Sequence, residues 1–221
     1  MKKRISLVTF CLILLALTSE AQYFPGRIRP PRYRRSYPRQ VQPRQQLPKF
    51  QPTVNLSIGY GFPNLDKNEL AQFYNAYQGT SAQKGPITGA FDYQFSRYMS
   101  IGVMGTYGKV TAPYYDYSSS SATPSFTGSL ENWSVMLNMV NYIPTYNNHV
   151  NPYFRTAIGI NNWKQNYLDE TGAKAAIVDD PSQFAYQASL GARFNLSKQA
   201  GFYLEVGYGK YILNGGLTLR F

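Results

Sequence analysis

The chain has 221 residues, a formal net charge of +11 and an isoelectric point near 9.6. The charge is localised: residues 22–52 carry seven arginines, one lysine and no acid, whereas residues 53–221 hold 11 bases and 10 acids. A basic arm beside a nearly neutral remainder, in a chain that opens with an export signal, argues against a nucleic-acid partner and points the arm toward anionic surfaces.

The export signal is read from Met1-Lys2-Lys3-Arg4, the apolar run Ile5 to Leu17 and the small residues around Ser19-Glu20-Ala21. Together they form a positive start, an apolar core and a cleavage region. The apolar run is short for a membrane-spanning helix, which needs about 20 residues. Residues 1–21 are therefore assigned to a removable signal peptide. The single cysteine, Cys11, lies inside it, so the mature chain has no disulfide framework and no thiolate metal site. Bulky Phe10 before Cys11 is the wrong register for lipid modification.

Residues 22–52 contain seven of the 14 prolines and no apolar periodicity. Proline fixes φ and removes a backbone donor, which leaves neither a helix nor a central strand available. This segment is expected to be a disordered arm of extended, polyproline II character. Arg27, Arg29, Arg32, Arg34, Arg35, Arg39 and Arg44 are its candidate partner-binding residues.

From residue 53 the pattern alternates with period two. The first strand sets Val54, Leu56, Ile58, Tyr60 and Phe62 against Asn55, Ser57, Gly59 and Gly61. In the connection after it, Leu70, Phe73 and Tyr77 have near-helical spacing, so a short helix capping one end of the fold is expected. The second strand carries Ile87, Phe91, Tyr93 and Phe95, and the third, after a tight turn at Ser96-Arg97, Ile101, Val103 and Tyr107. A polar loop is expected over 111–128, with Tyr114, Tyr115 and Tyr117 at its tip. The fourth strand follows with Trp133, Val135, Leu137 and Met139, and the fifth, beyond a connection at 144–151, with Phe154, Ile158 and Ile160. A second polar loop is expected over 163–181. The sixth strand (Phe184 to Phe194), the seventh (Phe202 to Tyr208) and the eighth (Leu213 to Phe221) are joined by short turns at Ser197-Lys198 and near Lys210.

Eight strands of about the length needed to cross a bilayer when tilted, with long connections after the first, third and fifth and shorter ones after the second, fourth and sixth, predict an all-β fold; the short turn near Lys210 departs from that alternation. The expectation is an eight-stranded antiparallel up-and-down transmembrane β-barrel over 53–221. A soluble barrel would have to turn its apolar faces inward, and an eight-stranded interior has no room for that many large side chains. With small and polar residues inside and the aromatics toward lipid, the packing works, and closure pairs every backbone group.

The chain ends Gly216-Leu217-Thr218-Leu219-Arg220-Phe221, an alternating apolar run closing on an aromatic. This resembles the terminal strand signal of outer-membrane proteins. The resemblance implies that Gly216, Leu219 and Phe221 are read by the barrel-assembly machinery, although Gly215 stands where a polar residue is usual. Residues 53–221 as a whole resemble the small eight-stranded bacterial outer-membrane barrels of OmpA/OmpX type. That implies a Gram-negative outer membrane, contact with its lipids and lipopolysaccharide, and periplasmic N- and C-termini. Such a resemblance specifies architecture and leaves activity open.

Five inward-facing charges, Asp92, Arg155, Arg193, Glu205 and Arg220, are expected to pair in the lumen, because isolated buried charges are expensive. Glu205 is expected diagonal to Arg193 across the last-but-one turn. A salt-bridge plug is the preferred reading over an ion gate, since lumens of this size are filled. Some small barrels of this kind modify lipid with a His–Ser pair on one strand. Here the lone histidine, His149, is followed by Val150 and Asn151 and falls in a turn, so no catalytic constellation is read. Asp169, Glu170, Asp179 and Asp180 form an acidic loop with the carboxylates to bridge a divalent cation to lipopolysaccharide phosphates; a solvated loop is the preferred reading, and no cofactor or metal is assigned.

The expected function is a non-enzymatic outer-membrane barrel, structural, adhesive or adaptor-like, whose arm contacts a periplasmic protein or cell-wall partner. The alternatives are an accessory subunit of a transport or secretion complex, a narrow pore, or a lipid-modifying enzyme. Replacing Phe221 with Gln is expected to lower the yield of assembled barrel several-fold, measured as the heat-modifiable fraction on gels. An unchanged fraction would count against the terminal signal.

Overall fold

A computed structural model describes residues 50–73, 75–118, 122–145, 149–176 and 180–221. The strands are β1 (Thr53–Asn64), β2 (Ala76–Gln78), β3 (Ala82–Gln94), β4 (Met99–Asp116), β5 (Phe126–Tyr142), β6 (Val150–Asp169), β7 (Phe184–Asn195), β8 (Ala200–Tyr208) and β9 (Tyr211–Arg220). All but β2 form an antiparallel meander in which each strand pairs with its neighbours and β1 pairs with β9. The register runs from Asn55↔Arg220 to Asn64↔Tyr211, so the cylinder closes. Among the described residues no helix is long and apolar enough to cross a membrane; the strands are the crossing elements. One end, here the terminal end, holds Thr53, Phe221 and the turns after β3, β5 and β7. The distal end holds the hairpins after β1, β4, β6 and β8.

The wall has the polarity of a soluble protein reversed. Ile58 and Leu217 face outward at 61% and 62% exposure, while Asn55 and Glu205 face inward at 1% each. The outward side chains are also layered. Tyr60, Phe62, Tyr107, Trp133, Phe184 and Tyr208 ring the wall toward the distal end, and Tyr93, Phe95, Tyr98 and Phe221 toward the terminal end. Leu, Ile and Val residues fill the band between. Two aromatic girdles around an aliphatic belt match a bilayer, where amphipathic rings sit at the headgroups and hydrocarbon meets the centre.

The lumen is not confined to small residues, which corrects the expectation that the aromatics all face lipid. Tyr114, Tyr153, Tyr167, Tyr203 and Tyr211 are buried inside, with Met104 and Met136 packed in one layer with Ala90, Ala157, Ala185 and Tyr211. Facing glycines make the room. A Cβ at Gly128 would stand 2.6 Å from Tyr167, at Gly61 2.8 Å from Tyr211, and at Gly191 2.7 Å from the Tyr153 ring; at Gly59 it would overlap the Tyr203 hydroxyl. Large and small side chains thus alternate across the interior, as a narrow barrel requires.

Three connections differ from expectation. β4 and β5 pair out to Tyr114↔Phe126, so the polar segment expected over 111–128 is mostly hairpin and the loop shrinks to residues 117–125. β6 continues to Asp169, paired with Phe126. These extensions project beyond the apolar belt, where the outward face meets water while the inward face stays buried, so their polar outward residues report solvent and not loop structure. The expected helix is also displaced: a five-residue 3-10 turn occupies Leu65–Glu69, started by Asn64, whose side chain accepts from the Asp66 amide. Leu70 caps it in extended conformation, and Phe73 follows outside any helix.

Because Gly191 lies between Tyr153 and the Glu205 stem, Gly191→Val is expected to destabilise the barrel by roughly 1–3 kcal/mol, read from urea unfolding of the refolded protein. Wild-type stability in that variant would mean that the lumen is more loosely packed than these distances require.

Candidate functional site

The interior is the obvious place to look for activity, and it is closed at several levels. In the middle, Glu205 accepts from the Tyr153 hydroxyl (2.7 Å) and the Tyr211 hydroxyl (2.6 Å). The Arg155 guanidinium lies 3.3 Å from Glu205 through Nε and 3.6 Å from Asp92 through a terminal nitrogen. Asn138 donates to the other Asp92 oxygen at 2.5 Å. All three charges are at most 3% exposed. One cation shared by two carboxylates, with the free lone pairs taken by hydroxyls and an amide, is the arrangement that makes buried charge tolerable. The register places Glu205 opposite Gly191 and Arg193 opposite Tyr203, so the two charges are diagonal. Even so, Arg155 is the ion-pair partner of Glu205, because it reaches across the lumen from β6 between two acids. Arg193 instead donates to Asn55 Oδ1 (3.0 Å) and lies over the Tyr142 ring at 5.6 Å. Arg220 donates to the same Asn55 oxygen at 3.3 Å.

The distal end is sealed by the connection after β1. Asp66 pairs with Lys210 of the β8–β9 turn at 3.0 Å and accepts from Asn132 at 3.0 Å. Lys210 also lies 5.0 Å over the Trp163 ring. Leu70 and Ala71 pack against Val110, Ala112, Tyr114, Leu130 and Tyr167. The Ala71 peptide is pinned on both sides: its amide donates to the Tyr167 hydroxyl (2.7 Å) and its carbonyl accepts from the Tyr114 hydroxyl (2.8 Å). None of this plug was visible in the sequence beyond the spacing of Leu70 and Phe73.

The remaining expected residues fall as follows. Gly216 pairs with Gly59, Leu219 with Leu56, and Phe221 closes the sheet through reciprocal 2.9 Å bonds with Val54, its ring outward. His149 sits in the β5–β6 turn at the terminal end, where its carbonyl accepts from the Asn195 amide. Asp169 accepts from the Thr171 hydroxyl (2.7 Å) and the amides of Thr171 and Ala173, which hold its carboxyl below the ordinary range and commit it to its own turn. No cluster of three or more potential metal ligands lies among the described residues. Asp179, the signal segment and the seven arm arginines lie outside the described residues. At the distal tip Tyr77 stacks on Tyr115 (5.2 Å) and tilts against Tyr117 (5.2 Å), exposing a small aromatic surface.

A closed eight-stranded cylinder with an apolar, girdled wall and a filled polar lumen is a membrane-spanning β-barrel. Comparison with known families agrees: the chain belongs to the outer membrane protein beta-barrel domain family, which matches residues 41–220. It is therefore a bacterial outer-membrane protein. No curated protein matches it. Similar solved structures include a de novo designed transmembrane β-barrel at 13% identity and TM-score 0.40, covering 76% of this chain and 95% of that one. Another is Ail, the attachment invasion locus protein of Yersinia pestis, at 14% identity and TM-score 0.38, covering 77% and 97%. The same protein in complex with the heparin analogue sucrose octasulfate matches at 15% identity, TM-score 0.38 and the same coverage.

Arg155 is the only cation touching either Asp92 or Glu205 in an ion pair among the described residues. Arg155→Met is expected to destabilise the barrel by about 3–5 kcal/mol, because it leaves two buried carboxylates without their counter-charge. Denaturant unfolding of the refolded variant checks this. A loss under about 1 kcal/mol would place the pair among ion pairs of surface strength.

Proposed function

We propose that this protein is a non-conducting, non-enzymatic anchor in the outer membrane. It exposes its distal loops at the cell surface and carries its termini, with the basic arm, in the periplasm. The observation that carries this reading is the lumen, blocked in the middle by Arg155 with Asp92 and Glu205 and at the distal end by Asp66, Lys210, Leu70 and Ala71. The orientation is supported by the hairpins: those after β4 and β6 extend far past the belt, while the turns after β3 and β7 are tight, as in bacterial barrels with short periplasmic turns.

In this orientation the seven arginines of residues 27–44 meet periplasmic anions: headgroups, cell-wall polymer or an acidic protein surface. The stacked tyrosines at the distal tip are the element best suited to an adhesive contact. The lone histidine lies in a turn at the end away from these loops, which leaves the distal mouth without a histidine base.

Two measurements test the proposal. In planar bilayers the purified barrel is expected to give no unitary conductance steps; regular steps would make it a pore. Affinity capture with the full-length protein beside a form lacking residues 23–52 is expected to lose an anionic periplasmic partner on deletion, while the barrel stays heat-modifiable. Identical capture from both forms would reduce the arm to a tether.

A further inference from the structure

The terminal end of the lumen holds more donors than acceptors. Arg193, 5% exposed, and Arg220 both lean on one atom, Asn55 Oδ1. Around them Arg193 Nε, Asn55 Nδ2, the Tyr142 hydroxyl and the Thr218 hydroxyl are buried without a hydrogen-bond partner. Each can donate. Arg193, Lys198, Thr218 and Arg220 are among the residues that line one small cavity beneath the β7–β8 turn, with room for about one water-sized particle. The two lumen carboxylates are already engaged by Arg155, and neither Arg193 nor Arg220 forms an ion pair among the described residues. Residues 22–52 offer no acid either.

A buried unpaired donor costs about 1–3 kcal/mol, and more when it is charged. Two of the four, Arg193 Nε and the Thr218 hydroxyl, belong to the cavity lining, and Asn55 and Tyr142 contact Arg193 beside it. Three cations, Arg193, Lys198 and Arg220, line the cavity with no carboxylate among the lining side chains. A neutral water satisfies two donors and leaves the charge uncompensated. An anionic atom accepts from both lining donors and neutralises one guanidinium.

We propose that this mouth of the barrel is an anion site, in which Arg193 and Arg220 hold a single anionic atom, either a halide or one oxygen of a phosphate, with the Thr218 hydroxyl completing its shell. This does not depend on what the arm binds.

The test uses the full mature chain refolded in detergent micelles. Chloride, bromide or phosphate replaces gluconate at constant ionic strength, and the unfolding midpoint is followed by circular dichroism. A ligand bound only by the folded state raises the midpoint saturably. The expected result is such a rise, with the apparent Kd weakened at least tenfold in Arg220→Gln and unchanged in Arg97→Gln, which removes a cation from another turn at the same end. Thr218→Val, which keeps the strand and its shape, is expected to weaken it several-fold and serves if Arg220→Gln does not fold. A response to halide alone identifies a halide site, and a response to phosphate alone an oxyanion site. Crystals grown in bromide should show an anomalous peak beside Arg193 Nε. Equal midpoints in all salts, a shift that survives both substitutions, or water in place of the bromide peak would overturn the proposal.

Discussion

The constraint from which the rest follows is that the interior of a narrow barrel must be filled without leaving charge alone. With eight strands the cylinder is too narrow to hold bulk water and too wide to close on backbone alone. Arg155 answers it near the centre. Its guanidinium lies between Asp92 on β3 and Glu205 on β8, so one side chain from β6 ties together strands on three sides of the cylinder. Glu205 then collects the hydroxyls of Tyr153 and Tyr211. The tyrosines need space, and Gly191 and Gly61 supply it. The placing of these two glycines thus follows from where the tyrosines that serve Glu205 are.

That filling decides what kind of protein this is able to be. Conduction through a barrel needs a continuous polar path. Here the path is interrupted by an ion-pair network, by the Met104–Met136 layer and by a plug that the chain folds back from its own first hairpin. Opening it would require breaking buried pairs in several layers, each of them expensive to separate. On the proposed non-conducting reading, function lies at the two ends and the surfaces beyond them. At the distal end, strands β4, β5 and β6 continue past the belt and hold Tyr115 and Tyr117 away from the lipid. At the terminal end the guanidinium groups of Arg193 and Arg220 converge on one amide oxygen.

The wall was legible in the sequence and the plug was not, for one physical reason. Lipid imposes the same requirement on every outward position, so Leu56, Ile58, Ile101, Val103, Leu217 and Leu219 alternate visibly with small and polar neighbours. Nothing imposes a uniform requirement on the inside. Tyr153, Tyr203 and Tyr211 are inward and Tyr60, Tyr107 and Tyr208 are outward, and the residue type does not say which. What separates them is the parity of their strand and the glycine across from them. The five lumen charges could be picked out by parity, but their pairing depended on reach across the cylinder, which strand adjacency does not encode. The distal hairpins misled for the complementary reason: once a strand leaves the bilayer its outward face meets water, and Lys164, Gln165 and Asn166 look like a loop while pairing with Glu131, Leu130 and Ser129.

Charge along the barrel axis completes the argument. At the distal end Asp66 and Lys210 neutralise each other, and in the centre two acids face one arginine, leaving that level one negative charge in excess. Toward the terminal end two arginines stand with an amide between them, an excess of two positive charges. The central excess offsets one of these through the lumen, and the other is left at the mouth. A lipid-clad cylinder screens such a charge poorly in the direction of its walls, because hydrocarbon surrounds it there. The open end is the direction in which a counter-charge is able to approach. The asymmetry therefore gives the barrel a cationic end in its own right, fixed by Arg193 and Arg220 and independent of the arginines in residues 22–52.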